Sequence, residues 1–232
     1  MRKTVKFLAA LILSVFMMSN IASAASLVQM DTIMYFSQPP HGQGQISGNA
    51  ASTLISLNGQ KLRLTPSFQF SDKKIIGGSI KLLNTDTGQE ILSLPLEKFP
   101  YFRAKKIAAD TGEEFLLLQR GRVSVSDSVC SGLWIVGLHK GGYVSFVNIG
   151  AVQKAGLVFQ DISSKLEDGE LKLTGFARDR DCRIYDSTWR NTIGYQYKGH
   201  PAYPADPGNC EINSTYLFWD SKAQWFGIRQ AD

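Results

Sequence analysis

One pattern recurs from residue 52 to the end of the chain. A short run of alternating apolar and polar residues meets a turn of Asn, Asp, Lys and Gly, and a second alternating run follows. The clearest copy joins residues 52–57 and 60–65 through Asn58-Gly59. Asn and Gly accept the positive φ angles that a type I′ turn requires, which makes this a hairpin with a defined register. In Lys61-Leu62-Arg63-Leu64 the alternation gives one buried face and one wet face. Five more copies are predicted, turning at residues 86–88, 110–112, 140–142, 167–169 and 220–222. Helical periodicity is scarce, and the best candidate is residues 149–154 with Gly156 as a C-cap. Evenly spaced hairpins of this kind predict an all-β fold of antiparallel strands, arranged as a sandwich, a barrel or a partial propeller-like stack.

The first 24 residues do not follow that pattern. Arg2, Lys3 and Lys6 precede an apolar run from Phe7 to Met18, and Ala22-Ser23-Ala24 ends the segment. Basic, apolar and small-residue zones in that order are those of a secretory signal peptide, cleaved after Ala24. The apolar run is shorter than the roughly 20 residues that span a bilayer. Position 25 is Ala and not Cys, so lipid anchoring is not expected, and no later segment predicts a membrane span. The expected product is exported and soluble, periplasmic or extracellular. Cleavage takes 24 of 232 residues and leaves 208. It also removes three cations from a net charge of +5, leaving +2. So weak a charge argues against nucleic acid or anionic lipid as a partner. Residues 25–100 hold plain aliphatic hairpins, whereas 101–232 hold most of the aromatic residues and all three Cys. The shift suggests a soft boundary near Glu97–Tyr101. One continuous domain over 25–232 is the equal alternative.

Cys130, Cys182 and Cys210 contain no C-x-x-C pair, which removes the spacing that zinc ribbons and thioredoxin-like sites need. In an oxidising compartment one disulfide is expected, with Cys182–Cys210 the first choice and pairs using Cys130 the rivals. Closing that loop would contribute about 3 kcal/mol by restricting the unfolded chain.

The run Ala109-Asp110-Thr111-Gly112-Glu113-Glu114-Phe115-Leu116-Leu117 is an aspartate-glycine turn leading into a strand. Glu167-Asp168-Gly169-Glu170-Leu171-Lys172-Leu173-Thr174-Gly175 has the same build, and Trp134-Ile135-Val136 and Tyr143-Val144-Ser145-Phe146 supply hairpin strands. Over residues 107–198 the chain thereby resembles secreted bacterial proteins with FG-GAP or VCBS-like β-hairpin repeats. The resemblance implies a binding or envelope-associated role. Aspartate-rich loops in such repeats often hold calcium, but the full alternation of aspartates is missing here, so neither metal nor cofactor is expected.

No G-x-S-x-G, H-E-x-x-H or phosphate-binding loop is present. His41 falls in the loop Pro39-Pro40-His41-Gly42-Gln43-Gly44, and His139 at a hairpin end before Lys140-Gly141-Gly142. A Cys-His nucleophile would need Cys182 or Cys210 beside His200, and an exported thiol is a poor nucleophile once oxidised. Cys130, Cys182, His200 and Cys210 match no compact zinc spacing. Asp179, Asp181 and Asp186 interleave with Arg178, Arg180 and Arg183, which describes a solvated, ion-paired turn. Asn213-Ser214-Thr215 matches a glycosylation triplet and reads as a turn before a strand. The feature that stands out is aromatic: Trp189, Tyr195, Tyr197, Tyr203, Trp219 and Trp225 gather late in the chain. Such rings either pack a core or bind a sugar or peptide. Trp189, Tyr195, Tyr197 and Tyr203 are the candidate ligand-binding residues, and carbohydrate or an envelope protein is the candidate partner. The function expected is non-enzymatic binding. The alternative is a secreted glycoside hydrolase with a carboxylate pair that is distant in sequence.

Overall fold

The computed structural model describes residues 24–40, 45–123, 128–148, 159–179 and 208–230. The regular elements among them are all strands: β1 (Ala24–Ala25), β2 (Leu27–Ser37), β3 (Ser47–Asn49), β4 (Thr53–Leu57), β5 (Gln60–Ser71), β6 (Lys74–Asn84), β7 (Glu90–Leu96), β8 (Pro100–Ala109), β9 (Glu114–Val123), β10 (Ser128–His139), β11 (Gly142–Asn148), β12 (Phe159–Glu167), β13 (Glu170–Asp179), β14 (Gly208–Asp220) and β15 (Trp225–Gln230). The fold is all-β and antiparallel, a sandwich-like stack, and among the described residues no barrel closes. The helix expected at residues 149–154 lies outside the described residues.

All six predicted hairpins form, because their turns are set by local stereochemistry. Asn58 and Gly59 adopt φ of 50° and 74°, Lys140 and Gly141 49° and 84°, and Asp168 and Gly169 50° and 77°. Two successive positive φ angles match the right-handed strand twist that a two-residue hairpin needs. A seventh hairpin, β5–β6, turns at Asp72-Lys73 with φ of 47° and 65°. It contains no Gly, so the pattern used above passes over it, although Asp tolerates the left-handed region through its short polar side chain.

The hairpins assemble into three sheets. Four strands run in the order β4-β5-β6-β7, and six in the order β11-β10-β9-β8-β2-β3. The third sheet runs β1-β14-β13-β12, with β15 also on β14. β13 and β1 share one edge of β14 while β15 takes the other.

The six-stranded sheet lies between the other two, and its core strands show why. In β9, Phe115, Leu116, Leu117 and Leu118 are all at most 1% exposed. A strand wetted on one face would alternate, but one covered on both faces reads as a continuous apolar run. Leu133-Trp134-Ile135-Val136 in β10 repeats this. One face of the central sheet packs Phe115, Leu117, Leu133, Ile135 and Phe146 against Leu171, Leu173, Leu217, Trp219 and Phe226 of the five-stranded sheet. The other packs Phe36, Phe102, Leu116, Leu118 and Trp134 against Leu57, Leu62, Leu64, Ile80, Leu82 and Leu94 of the four-stranded sheet.

Polar clamps fix the four-stranded sheet to the centre. At the Asn58-Gly59 turn, Asn58 Nδ2 donates to Glu114 O and Glu114 N donates to Asn58 Oδ1, both at 2.8 Å. Asn58 N donates to Glu114 Oε2 at 2.8 Å. At the opposite end, Gln38 is fully buried and its Oε1 accepts the Ile75 N–H at 2.6 Å. Between them Arg120 Nη1 donates to Pro95 O at 2.6 Å. The boundary suggested near Glu97–Tyr101 falls between β7 and β8. Across it β2 pairs with β8, and the second interface draws side chains from both sides.

Candidate functional site

Of the aromatic residues singled out in the sequence, Trp219 and Trp225 are described. Trp219 is 1% exposed. Its ring lies 4.7 Å from Phe115, 5.4 Å from Phe146 and 5.2 Å from Phe226, centroid to centroid. It is therefore core and not ligand surface. Trp225 is half-buried, 4.9 Å from Phe146 and edge-on to His139 at 5.5 Å. His139 sits at the end of β10, and its Nδ1 is 3.1 Å from the Gln224 carbonyl oxygen. Trp189, Tyr195, Tyr197 and Tyr203 lie outside the described residues, as do Cys182, His41 and His200. The Cys210 backbone is in β14, opposite Ala177. Cys130 is buried, and its thiol donates to Gly132 O at 3.4 Å. Among the described residues no group of three or more His, Cys, Asp or Glu is placed to hold a metal ion.

The interface between the central and five-stranded sheets changes character along its length. Near the β8–β9 turn it is a dry aromatic pack. At the other end of the same face, polar and charged side chains replace it. β8 alternates so that Tyr101, Arg103, Lys105, Ile107 and Ala109 share that face, and three of these, Tyr101, Ile107 and Ala109, belong to the apolar cluster. β2 brings Tyr35 opposite Arg103 and Ser37 opposite Tyr101. β9 places Gln119 opposite Arg103 on the other side.

These neighbours make specific contacts. The Arg103 guanidinium lies 5.3 Å from the Tyr35 ring centre and 5.7 Å from that of Tyr101. The two tyrosines meet edge to face at 5.9 Å. The Tyr35 hydroxyl is 3.2 Å from Ser37 Oγ. Ser164 of β12 reaches across from the five-stranded sheet and donates to Gln119 Oε1 at 3.3 Å. Gln119 Nε2 in turn donates to Cys130 Sγ at 3.8 Å.

Lys105 is 9% exposed. Burial, and then the positive charge of Arg103, hold its pKa below the ordinary lysine value. No carboxylate among the described residues forms an ion pair with Lys105 or with Arg103. Two like charges on one largely buried face, with no opposite charge paired to them among the described residues, are an unfavourable arrangement in isolation. Chemically the group offers two cations, two aromatic rings and several hydroxyl and amide hydrogen bonders. It suits recognition of a polar, electron-rich ligand better than bond cleavage.

The sequence contains a signal for this site that the search for motifs passes over. In Tyr101-Phe102-Arg103-Ala104-Lys105-Lys106-Ile107, the apolar positions occupy both faces. That marks a strand buried on both sides, so Arg103 and Lys105 must share a face with buried neighbours. The partner strand carrying Tyr35 lies nearly 70 residues away and leaves no local trace.

Comparison with protein-family models, curated proteins and solved structures found no match for this chain.

Proposed function

We propose that this protein is an exported, non-enzymatic ligand-binding protein acting in the periplasm or outside the cell, with carbohydrate or an envelope protein as its partner. The observation that carries the binding role is the polar end of the first interface. Lys105 is 9% exposed and Arg103 is half-buried beside Tyr35 and Tyr101, and no carboxylate among the described residues pairs with either. Natural cores avoid such groups unless they serve something. Export rests on the basic, apolar and small-residue order of residues 1–24. A peptidase needs extended, accessible backbone, so processing after Ala24 precedes the docking of Ala25 opposite Trp219. Trp189, Tyr195, Tyr197 and Tyr203 remain the proposed ligand-binding aromatic residues, in the loop that a Cys182–Cys210 disulfide would close. The resemblance to FG-GAP or VCBS-like repeats points to the same envelope role.

The test begins with protein recovered from the export compartment of an expressing bacterium. N-terminal sequencing is expected to start at Ala25, and a non-reducing peptide map to link Cys182 with Cys210. The same material is then incubated with a panel of neutral and acidic oligosaccharides. Retention of a sugar that is recovered intact supports binding. Release of shorter sugars by the protein would overturn the non-enzymatic reading in favour of a glycoside hydrolase. A mature chain that keeps Met1 would overturn export.

A further inference from the structure

We propose that Arg103 and Lys105 form an oxyanion-binding site at the polar end of the first interface, and that the ligand is a sugar bearing a carboxylate or phosphate. This deepens the binding role proposed above and rests on it. The argument starts with what Arg103 already uses. Its guanidinium face is taken up by the Tyr35 and Tyr101 rings, at 5.3 and 5.7 Å. Stacking of that kind spends the face of the group and leaves its edge N–H donors available. Among the described residues no acceptor meets those donors. Lys105, two residues along the same strand face and 9% exposed, likewise has no carboxylate or hydrogen-bond acceptor among them.

An oxyanion resolves both deficits together. A carboxylate or phosphate accepts two parallel N–H bonds from a guanidinium edge, and a neighbouring ammonium adds a point charge. The repulsion between Arg103 and Lys105 becomes attraction to a shared anion. Burial strengthens the bond, because the low-dielectric surroundings screen it less than water does. The surroundings supply the rest of a sugar site. Tyr35 and Tyr101 flank Arg103 with aromatic surface, and the Ser164–Gln119 hydrogen bond lies on its other side. Aromatic surface with a few convergent polar groups is the usual composition of a site for a small polar ligand.

Tri-galacturonate, tri-galactose, inorganic phosphate and a galactose phosphate are titrated separately into the mature protein, into Arg103→Gln and into Lys105→Met, by calorimetry at low and moderate salt. A thermal melt accompanies each variant. The expected result is binding of an acidic sugar at least tenfold tighter than tri-galactose, weakened at least tenfold by either substitution and by salt. Lys105→Met is expected to melt no lower than the parent, which separates lost binding from lost folding. Phosphate or galactose phosphate binding that both substitutions abolish, without galacturonate binding, supports the oxyanion site and assigns phosphate as its source. Equal binding of galacturonate and tri-galactose, untouched by either substitution, overturns the oxyanion site while leaving a sugar-binding protein. No binding of any probe overturns the site and the sugar-binding reading with it.

Discussion

A lysine that is 9% exposed has surrendered most of its hydration, and Lys105 recovers none of it from a carboxylate among the described residues. Burial first, and the Arg103 charge second, make its proton easier to lose than in an unfolded chain, where the value is 10.5. The folded state therefore binds fewer protons than the unfolded state over the alkaline window that ends at 10.5. Stability rises with pH wherever the unfolded state binds more protons, so this residue contributes an upward slope through that window. Lys105→Met keeps the length of the side chain and removes the charge. It is expected to stabilise the protein by about 1–2 kcal/mol at neutral pH, and to lack the parent's alkaline slope, so that its advantage shrinks as pH rises through that window. Urea melts of both proteins from neutral pH upward check this. A loss of stability in Lys105→Met would mean that the ammonium is satisfied in place and the site has no need of a ligand.

At the scale of single elements, the β4–β5 hairpin shows how a local signal acquires a tertiary use. Asn58 is chosen by the turn, since it accepts a φ of 50°. The same side chain then exchanges two hydrogen bonds with the Glu114 backbone at the start of β9. Glu114 also pairs with Lys106 at 2.5 Å, and Lys106 Nζ donates to Ser56 O at 3.1 Å. The Tyr143 hydroxyl donates to Leu57 O at 3.0 Å, so three strands of the central sheet hold one turn of the four-stranded sheet. Asn58→Gly keeps the turn conformation and deletes only the side-chain bonds, with an expected cost of about 1–3 kcal/mol. Glu114→Ala removes the Lys106 pair and the carboxylate that accepts the Asn58 N–H. In a double-mutant cycle the two substitutions are expected to couple by about 1 kcal/mol, because they share partners. Additive costs in chemical melts would show that the clamp does not act as a unit.

For the molecule as a whole, the position of β9 decides where stability is concentrated. It has strand neighbours on both edges, β8 and β10, and a sheet against each face. Opening it exposes both interfaces at once, whereas β4 and β7 are edges of an outer sheet. Native-state hydrogen exchange is expected to rank the amides of Phe115–Leu118 among the slowest and to show them exchanging only through global unfolding. The four-stranded sheet is expected to share that limit in β5 and β6, because Leu62, Leu64, Ile80 and Leu82 are each at most 1% exposed against the central sheet. If β5 and β6 exchange by a separate, lower-energy opening, the region before Glu97 unfolds as a unit of its own.

What the sequence determined by itself is the set of hairpins. Each turn is a local matter of which residues tolerate positive φ, and each alternating run states its own inward face. Leu62 and Leu64 are buried and Lys61 and Arg63 exposed, as their spacing implies. The β5–β6 hairpin escaped, because Asp72-Lys73 lacks the glycine that usually marks such a turn, and the β9–β10 pairing was not anticipated either. The tertiary structure decided how the hairpins stack. A run such as Phe115-Leu116-Leu117-Leu118 announces burial on both faces without naming what covers either one. The same holds for Trp219, whose composition suits a binding surface or a core equally, and which became core once Phe115, Phe146 and Phe226 closed around it. Arg103 and Lys105 share a strand face by simple alternation, but Tyr35 joins them through a strand pairing from far along the chain. Turn preferences act over a few residues. Register between distant strands follows from burying complementary faces, and that free energy exists only when the whole stack is assembled.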